Sequence, residues 1–247
     1  MASKEATGSA PQKVTWEKQG TVAVVTMIYE DNRINRIFLE EFLDALDAIE
    51  ADETITSLVV DTANEKIWSN GIDVEWVFGL LAANDHQGLK EFFTMLNVLL
   101  KRILTYPMPT VACIGGHVCA GGGIMACCFD FRFMRSDRGF FFFNEVDTGI
   151  PFWPGMVAIC RHAIPEFVLT KMMLLGSRLS GPECEQYGIA MKALPKEELL
   201  PAAVAFAAGT GKTRLNYGAQ KARLVAPIIK VMDEEDPAII NSGKVTA

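Results

Sequence analysis

Two short runs with apolar centres, Ser57–Asp61 (SLVVD) and Thr110–Ile114 (TVACI), are each followed by a glycine-containing turn. Apolar residues on successive positions, rather than alternate ones, read as strands buried on both faces. Helical spacing lies between and around them. From Phe38, residues Leu39, Phe42, Leu43, Leu46 and Ile49 share one face, and a second helix is expected from about Leu89 to Tyr106, stopped by Pro107. Thr21–Tyr29 is a further strand, Phe131–Met134 and Phe140–Phe143 are strand candidates, and Met191–Leu194 is one more within a mostly helical stretch after Pro151. Strands alternating with helices place the chain in the α/β class.

Half of the 247 residues are hydrophobic, enough to fill a core without disulfide or metal staples. No apolar run approaches the ~18 residues of a membrane span. The 23 basic and 30 acidic residues give a net charge of −7, which argues against a general nucleic-acid or anionic-membrane surface. The six cysteines form no C-x-x-C pair and read as reduced core thiols. Residues 1–12 read as a disordered tail without the apolar stretch of a secretory signal, and the Val-Thr-Ala end is not a peroxisomal address, so the cytoplasm is the expected location. A core domain over 13–195 and a helical C-terminal lobe over 196–247 are expected.

Several apparent motifs fail on context. Gly209-Thr210-Gly211-Lys212-Thr213 has Phe206 where a phosphate loop needs its first glycine, and it follows a helical segment, so a helix-ending turn is the better reading. Gly121-Gly122-Gly123 lacks the spacing of a dinucleotide fingerprint. His86, His117 and His162 are scattered, so no metal site is expected. Ser69 lacks the context of a nucleophile elbow.

Three segments remain. The turns Trp68-Ser69-Asn70-Gly71-Ile72-Asp73 and Ala120-Gly121-Gly122-Gly123 either are tight packing turns or face one another and aim two backbone N–H groups at one oxygen. Glu145 follows four phenylalanines and precedes Ile150, Phe152 and Trp153. It is either an exposed residue at a strand end or a dehydrated carboxylate whose raised pKa suits it to general-base work. Trp153 is read equally as core or as a wall of such a site.

Together these segments resemble the crotonase superfamily, which acts on acyl-CoA thioesters. WSNGID is similar to that family's first oxyanion turn, and Gly116–Gly123, ending in Asp130, to its second; the match runs over roughly residues 20 to 200. The resemblance implies a spiral of β-β-α units with a helical C-terminal lobe, assembled as homotrimers or hexamers. It implies that the amides of Asn70 and Gly121 hold the thioester oxygen, and that Trp68, Ile72, Ile124, Phe152 and Trp153 line the substrate site. Hydratases of the family carry two glutamates; Ile124 stands at the first position and Glu145 at the second. The run from Asn144 to Trp153 resembles the Δ3,Δ2-enoyl-CoA isomerases. One carboxylate suffices to move a double bond, which implies Glu145 as single acid/base, with coenzyme A as part of the substrate and no separate cofactor. Arg33 and Ile34, after the first strand, are the candidates for holding coenzyme A, although Arg33 reads equally as a solvated arginine; Lys221 and Arg223 are further basic candidates. The competing readings are a hydratase with a second acid such as Asp147, and a non-catalytic acyl-CoA-binding protein. Methionine- and phenylalanine-rich walls suit a long acyl chain or an ordinary core alike.

Overall fold

The computed structural model describes residues 13–243, so the expected tail over 1–12 and the Val-Thr-Ala end lie outside the described residues. The chain starts with β1 (Val14–Gln19) and β2 (Val22–Met27), an antiparallel pair. Sequence reading foresaw only the second. β1 is an edge strand whose outer half, Glu17–Gln19, is exposed, so its sequence VTWEKQ lacks the apolar run that marks a covered strand. After β3 (Arg33–Ile34) comes α1 (Arg36–Ala51). The Asn35 side chain caps it by accepting the Phe38 amide at 3.2 Å, and the helix buries Phe38, Leu39, Phe42, Leu46 and Ile49.

The next turn of the chain contains β4 (Ser57–Thr62), β5 (Ile67–Ser69), β6 (Gly71–Ile72), α2 (Val74–Ala82) and α3 (His86–Leu104). α3 starts three residues before the expected Leu89 because Asp85 caps it, accepting the Gly88 amide at 2.8 Å. Then follow β7 (Thr110–Ile114), β8 (His117–Cys119) and α4 (Gly121–Cys127), and after them β9 (Phe131–Arg135), β10 (Phe141–Phe142) and α5 (Glu145–Thr148). The remainder is α6 (Pro154–Ala163), α7 (Glu166–Leu175), α8 (Gly181–Gln186), β11 (Lys192–Leu194), α9 (Lys196–Gly209), α10 (Arg214–Glu234) and α11 (Asp236–Ser242).

From β4 to α5 each turn lays one strand in a large sheet and the next in a smaller one before a helix closes it, the expected β-β-α spiral, while β1 and β2 both join the large sheet and β3 pairs with β6. The large sheet runs β1-β2-β4-β7-β9-β11, parallel apart from β1, and the small one runs β10-β8-β5. Both faces of the large sheet are covered. Val22, Val59, Val111 and Phe133 meet Leu199, Ala203 and Ala207 of α9, while Leu58, Val60 and Ala112 face the larger core on the other side. This two-sided cover explains why SLVVD and TVACI carry apolar residues on successive positions. All six cysteines are buried free thiols. Gly209–Thr213 is the turn from α9 into α10, as expected.

Lys221 is corrected as a coenzyme A candidate. It is 5% exposed and donates to Asp130 Oδ2 at 2.8 Å and to Thr110 Oγ1 at 3.3 Å. Asp130 also accepts the Thr110 amide at 2.9 Å, so the pair ties α10 to the start of β7. Burial pulls the Lys221 ammonium down, and the carboxylate beside it opposes that. An ammonium spent on an internal ion pair cannot also serve a phosphate. Arg223 is exposed on α10.

Candidate functional site

The two glycine turns meet. Gly71 has φ +78°, and a Cβ there would stand 2.6 Å from the Gly121 nitrogen and 3.0 Å from that of Gly122. Only a residue without a side chain permits that approach. A Cβ on Gly121 would in turn stand 3.2 Å from the Ile72 nitrogen. Ala120, with φ +51° and ψ −131°, turns the backbone into α4; a non-glycine residue in this region stores strain of order 1–3 kcal/mol.

The amide partners decide which N–H groups are available. The Asn70 amide donates to Asp31 O at 3.0 Å, that of Gly71 to Ser69 Oγ at 3.1 Å, and that of Asp73 to Ile34 O at 2.9 Å. Asn70 is therefore corrected as an oxyanion donor, because its N–H is already committed. Ile72 lies between two amides that point towards β3 or back along the turn, so the alternation of a strand sends its own amide to the other side, beside Gly121. Gly121 opens α4, where the first amides have no intrahelical acceptor; bonding to Ala120 O begins with Gly123 at 2.8 Å and Ile124 at 3.1 Å. Ile72 and Gly121 are thus the candidate amide pair.

Asn32 braces this arrangement from behind. It is fully buried, donates its side-chain amide to Thr62 Oγ1 at 2.8 Å and Trp68 O at 2.9 Å, and accepts the Ser69 hydroxyl on its main-chain carbonyl at 2.8 Å.

Beside the amides opens a small, mostly apolar cleft. Ile72, Gly121, Ile124, Glu145, Phe152 and Trp153 line it, joined by Val74, Val77, Phe93, Ile150, Pro151 and Met156. The wall is braced by aromatic contacts: Phe152 stands edge-on to Phe143 at 5.1 Å, and Trp153 to Phe93 at 5.0 Å.

Glu145, the first residue of α5, turns its carboxylate into this apolar cleft. Among the described residues Oε2 is buried without a hydrogen-bond partner. Burial pushes the carboxyl up to about 7, against the smaller pull of the backbone amides of Glu145 and Asn144. Folded, the group keeps its proton to about pH 7; unfolded, it releases it near its ordinary value of 4.5. The folded chain therefore holds an extra proton between those values, and the contribution to stability falls as pH rises through that window. Such a cost is typical of a group kept for its chemistry.

Six of the residues expected at the site are thus brought together. Trp68 and Ile34 are not, and are corrected as substrate contacts. Trp68 is fully buried, packs edge-on against Phe129 at 6.2 Å and donates its indole N–H to Val60 O at 3.4 Å. Ile34 is fully buried on β3, behind β6. Arg33 is half-exposed between Asp31, at 3.5 Å, and Glu75, at 3.7 Å, with cleft-lining Val74 next in the chain to Glu75. Asp147 is exposed on the outer side of α5, against Gly176 and away from the cleft lining. Sequence reading missed Val74 and Val77 because α2 (VEWVFGLLA) is apolar nearly throughout and shows no clear face. Phe93 lies on the buried side of α3 with Leu89 and Leu96, a periodicity that marks core but not which part of it borders a cleft.

Residues 17–234 match the family model for enoyl-CoA hydratase/isomerase. Over 180 residues the chain is 31% identical to enoyl-CoA delta isomerase 3 of Arabidopsis thaliana, covering 71% of this chain and 74% of that protein. It is 32% identical over 182 residues to enoyl-CoA delta isomerase 2, peroxisomal, of the same plant, with the same coverage. In three dimensions it resembles human mitochondrial delta3-delta2-enoyl-CoA isomerase, with a TM-score of 0.86 at 20% identity over 94% of this chain and 90% of that one.

Proposed function

The chain belongs to the enoyl-CoA hydratase/isomerase family, and within it we propose an isomerase that shifts the double bond of a 3-enoyl-CoA to the conjugated 2-trans position. One observation carries this choice: among the described residues the cleft is lined by a single carboxylate, Glu145, and the position that the family resemblance gives to a hydratase's other glutamate is held by Ile124, which lines the same cleft. Hydration of a double bond calls for a group to activate water as well as one to deliver a proton. Isomerisation calls only for a proton to leave one carbon and arrive at another.

In the proposed sequence the ionised Glu145 takes a proton from C2. The electron pair of that C–H bond forms the C1–C2 double bond, and the thioester carbonyl becomes an enolate oxygen conjugated through C3 and C4. The amides of Ile72 and Gly121 hold that oxygen, each donor typically contributing ~2.7–4 kcal/mol to the transition state. The protonated Glu145 then delivers its proton to C4. The diene electrons shift to C2–C3, the carbonyl re-forms, and the carboxylate is regenerated. Ile124, Phe152 and Trp153 keep water from the intermediate.

Coenzyme A is part of the substrate, and the proton transfer draws on no separate cofactor. Arg33, half-exposed near the cleft, is proposed to meet its phosphates. Assembly as a homotrimer or hexamer is proposed as well; exposed Phe167, Leu174 and Leu175 on α7 supply apolar surface for it.

The shuttle is tested by single turnover of a 3-enoyl-CoA deuterated at C2. A carboxyl shielded from water is expected to deliver part of the label to C4. Solvent hydrogen alone at C4 in the first turnover would call for a separate acid and overturn the single-base reading.

A further inference from the structure

The wall formed by Phe93, Trp153 and Met156 belongs to two helices that a third, from the end of the chain, ties together. α6 begins directly after Trp153. Its first residue, Pro154, has no N–H, and no side chain of the cap residue reaches the next amide. Instead Asp236, on α11, accepts the Gly155 amide at 2.9 Å on Oδ1. Its Oδ2 accepts the side-chain amide of Asn97 on α3 at 3.1 Å. Asp236 is 1% exposed, and Asn97 is buried too. Gly155 leaves no slack in this junction, because a Cβ there would collide with the Asp236 carboxylate and come within 2.7 Å of Met232 Cγ. The two chain segments held by this one carboxylate are those that carry the edge-on pair Trp153 and Phe93.

Resting on the isomerase reading, we propose that Asp236 is a positioning residue for acyl-chain selection: it fixes α6 against α3 and so holds the Trp153–Phe93 wall of the cleft. The carboxylate touches neither the cleft nor Glu145. Its effect reaches the ligand through the placement of Trp153 and Met156, which flank Gly155 in the chain. A loosened junction lets these side chains relax into or away from the acyl groove, and the penalty grows with the length of chain packed against them.

The test uses saturated hexanoyl-CoA and decanoyl-CoA, which bind without turning over, titrated calorimetrically into the full chain. Wild type is expected to prefer the longer thioester. Asp236→Ala is expected to shrink that preference on the order of tenfold, equivalent to the burial of fewer than two methylene groups. Hexanoyl-CoA affinity should change far less. Asp236→Asn is expected to restore most of the preference, since its remaining oxygen still accepts from Gly155 and a flipped Asn97 amide can accept from the new donor. If Asp236→Ala fails to fold, Asn97→Ala removes only the α3 arm and is expected to give an intermediate preference.

An unchanged preference in a folded Asp236→Ala or Asn97→Ala chain overturns the proposal, as does an Asp236→Asn chain no better than Asp236→Ala, or a wild type that binds both thioesters equally. None of these outcomes touches isomerisation by Glu145. Conversely, a wild type that selects by length but turns over no 3-enoyl-CoA removes the isomerase reading and leaves the positioning role standing.

Discussion

Replacing Glu145 by glutamine is expected to lower kcat on a 3-enoyl-CoA by about 10³-fold, with KM changed only a few-fold. The amide fills the same space and keeps the cleft lining, so binding of the thioester survives while proton abstraction does not. Steady-state kinetics read the split, because a group needed only in the transition state lowers kcat and kcat/KM together. The wild-type pH profile follows from the same carboxyl. Burial raises it to about 7, and only its ionised form can take a proton, so kcat/KM is expected to rise with pH up to about 7 and then level. In the glutamine variant that acid limb should vanish from whatever rate remains. A variant that keeps its rate, or a profile whose acid limb stays near 7 after the substitution, would take the role away from Glu145.

Gly71→Ala is expected to be the second most damaging single change. Its methyl group would sit 2.6 Å from the Gly121 nitrogen, and the obstacle is backbone on both sides, which cannot swing away as a side chain tip can. The two turns must separate to make room for it, which moves the Gly121 amide away from that of Ile72. Losing one donor of such a pair lowers kcat about 10²–10³-fold. An L-residue at φ +78° adds a stability cost of about 1–2 kcal/mol. Urea unfolding of the purified variant measures the second effect and kinetics at saturating thioester the first. Near-normal kcat in Gly71→Ala would show that the Ile72 and Gly121 amides are not a working pair.

Much of this geometry was readable from residues because it is written in local chemistry. The apolar runs SLVVD and TVACI announced strands covered on both faces and the helix from Phe38 announced its buried stripe, while the phenylalanines before Glu145 left an exposed strand end and a dehydrated carboxylate both open until the fold turned it into the cleft. What escaped depends on partners distant in sequence. Nothing in WSNGID reveals that the Asn70 amide is taken by Asp31, which leaves Ile72 as the free donor. Trp68 looked like a site residue because it neighbours the turn, yet strand alternation points it into the core, against Phe129. Lys221 looked available because it lies in a charged helix; its partner, Asp130, is 91 positions away. Asp236 carried no signal at all, being one acidic residue among several near the end of a helix.

The choice between isomerase and hydratase is met most directly by giving the wild-type chain a 3-enoyl-CoA and a 2-enoyl-CoA in parallel. Absorbance of the conjugated thioester reports the first reaction, and chromatography of 3-hydroxyacyl-CoA reports the second. One carboxylate facing Ile124 leads to rapid appearance of the conjugated product from the 3-enoyl-CoA and hydration slower by orders of magnitude. Hydration of the 2-enoyl-CoA as fast as isomerisation would contradict it, since a second acid would then have to be at work in the cleft.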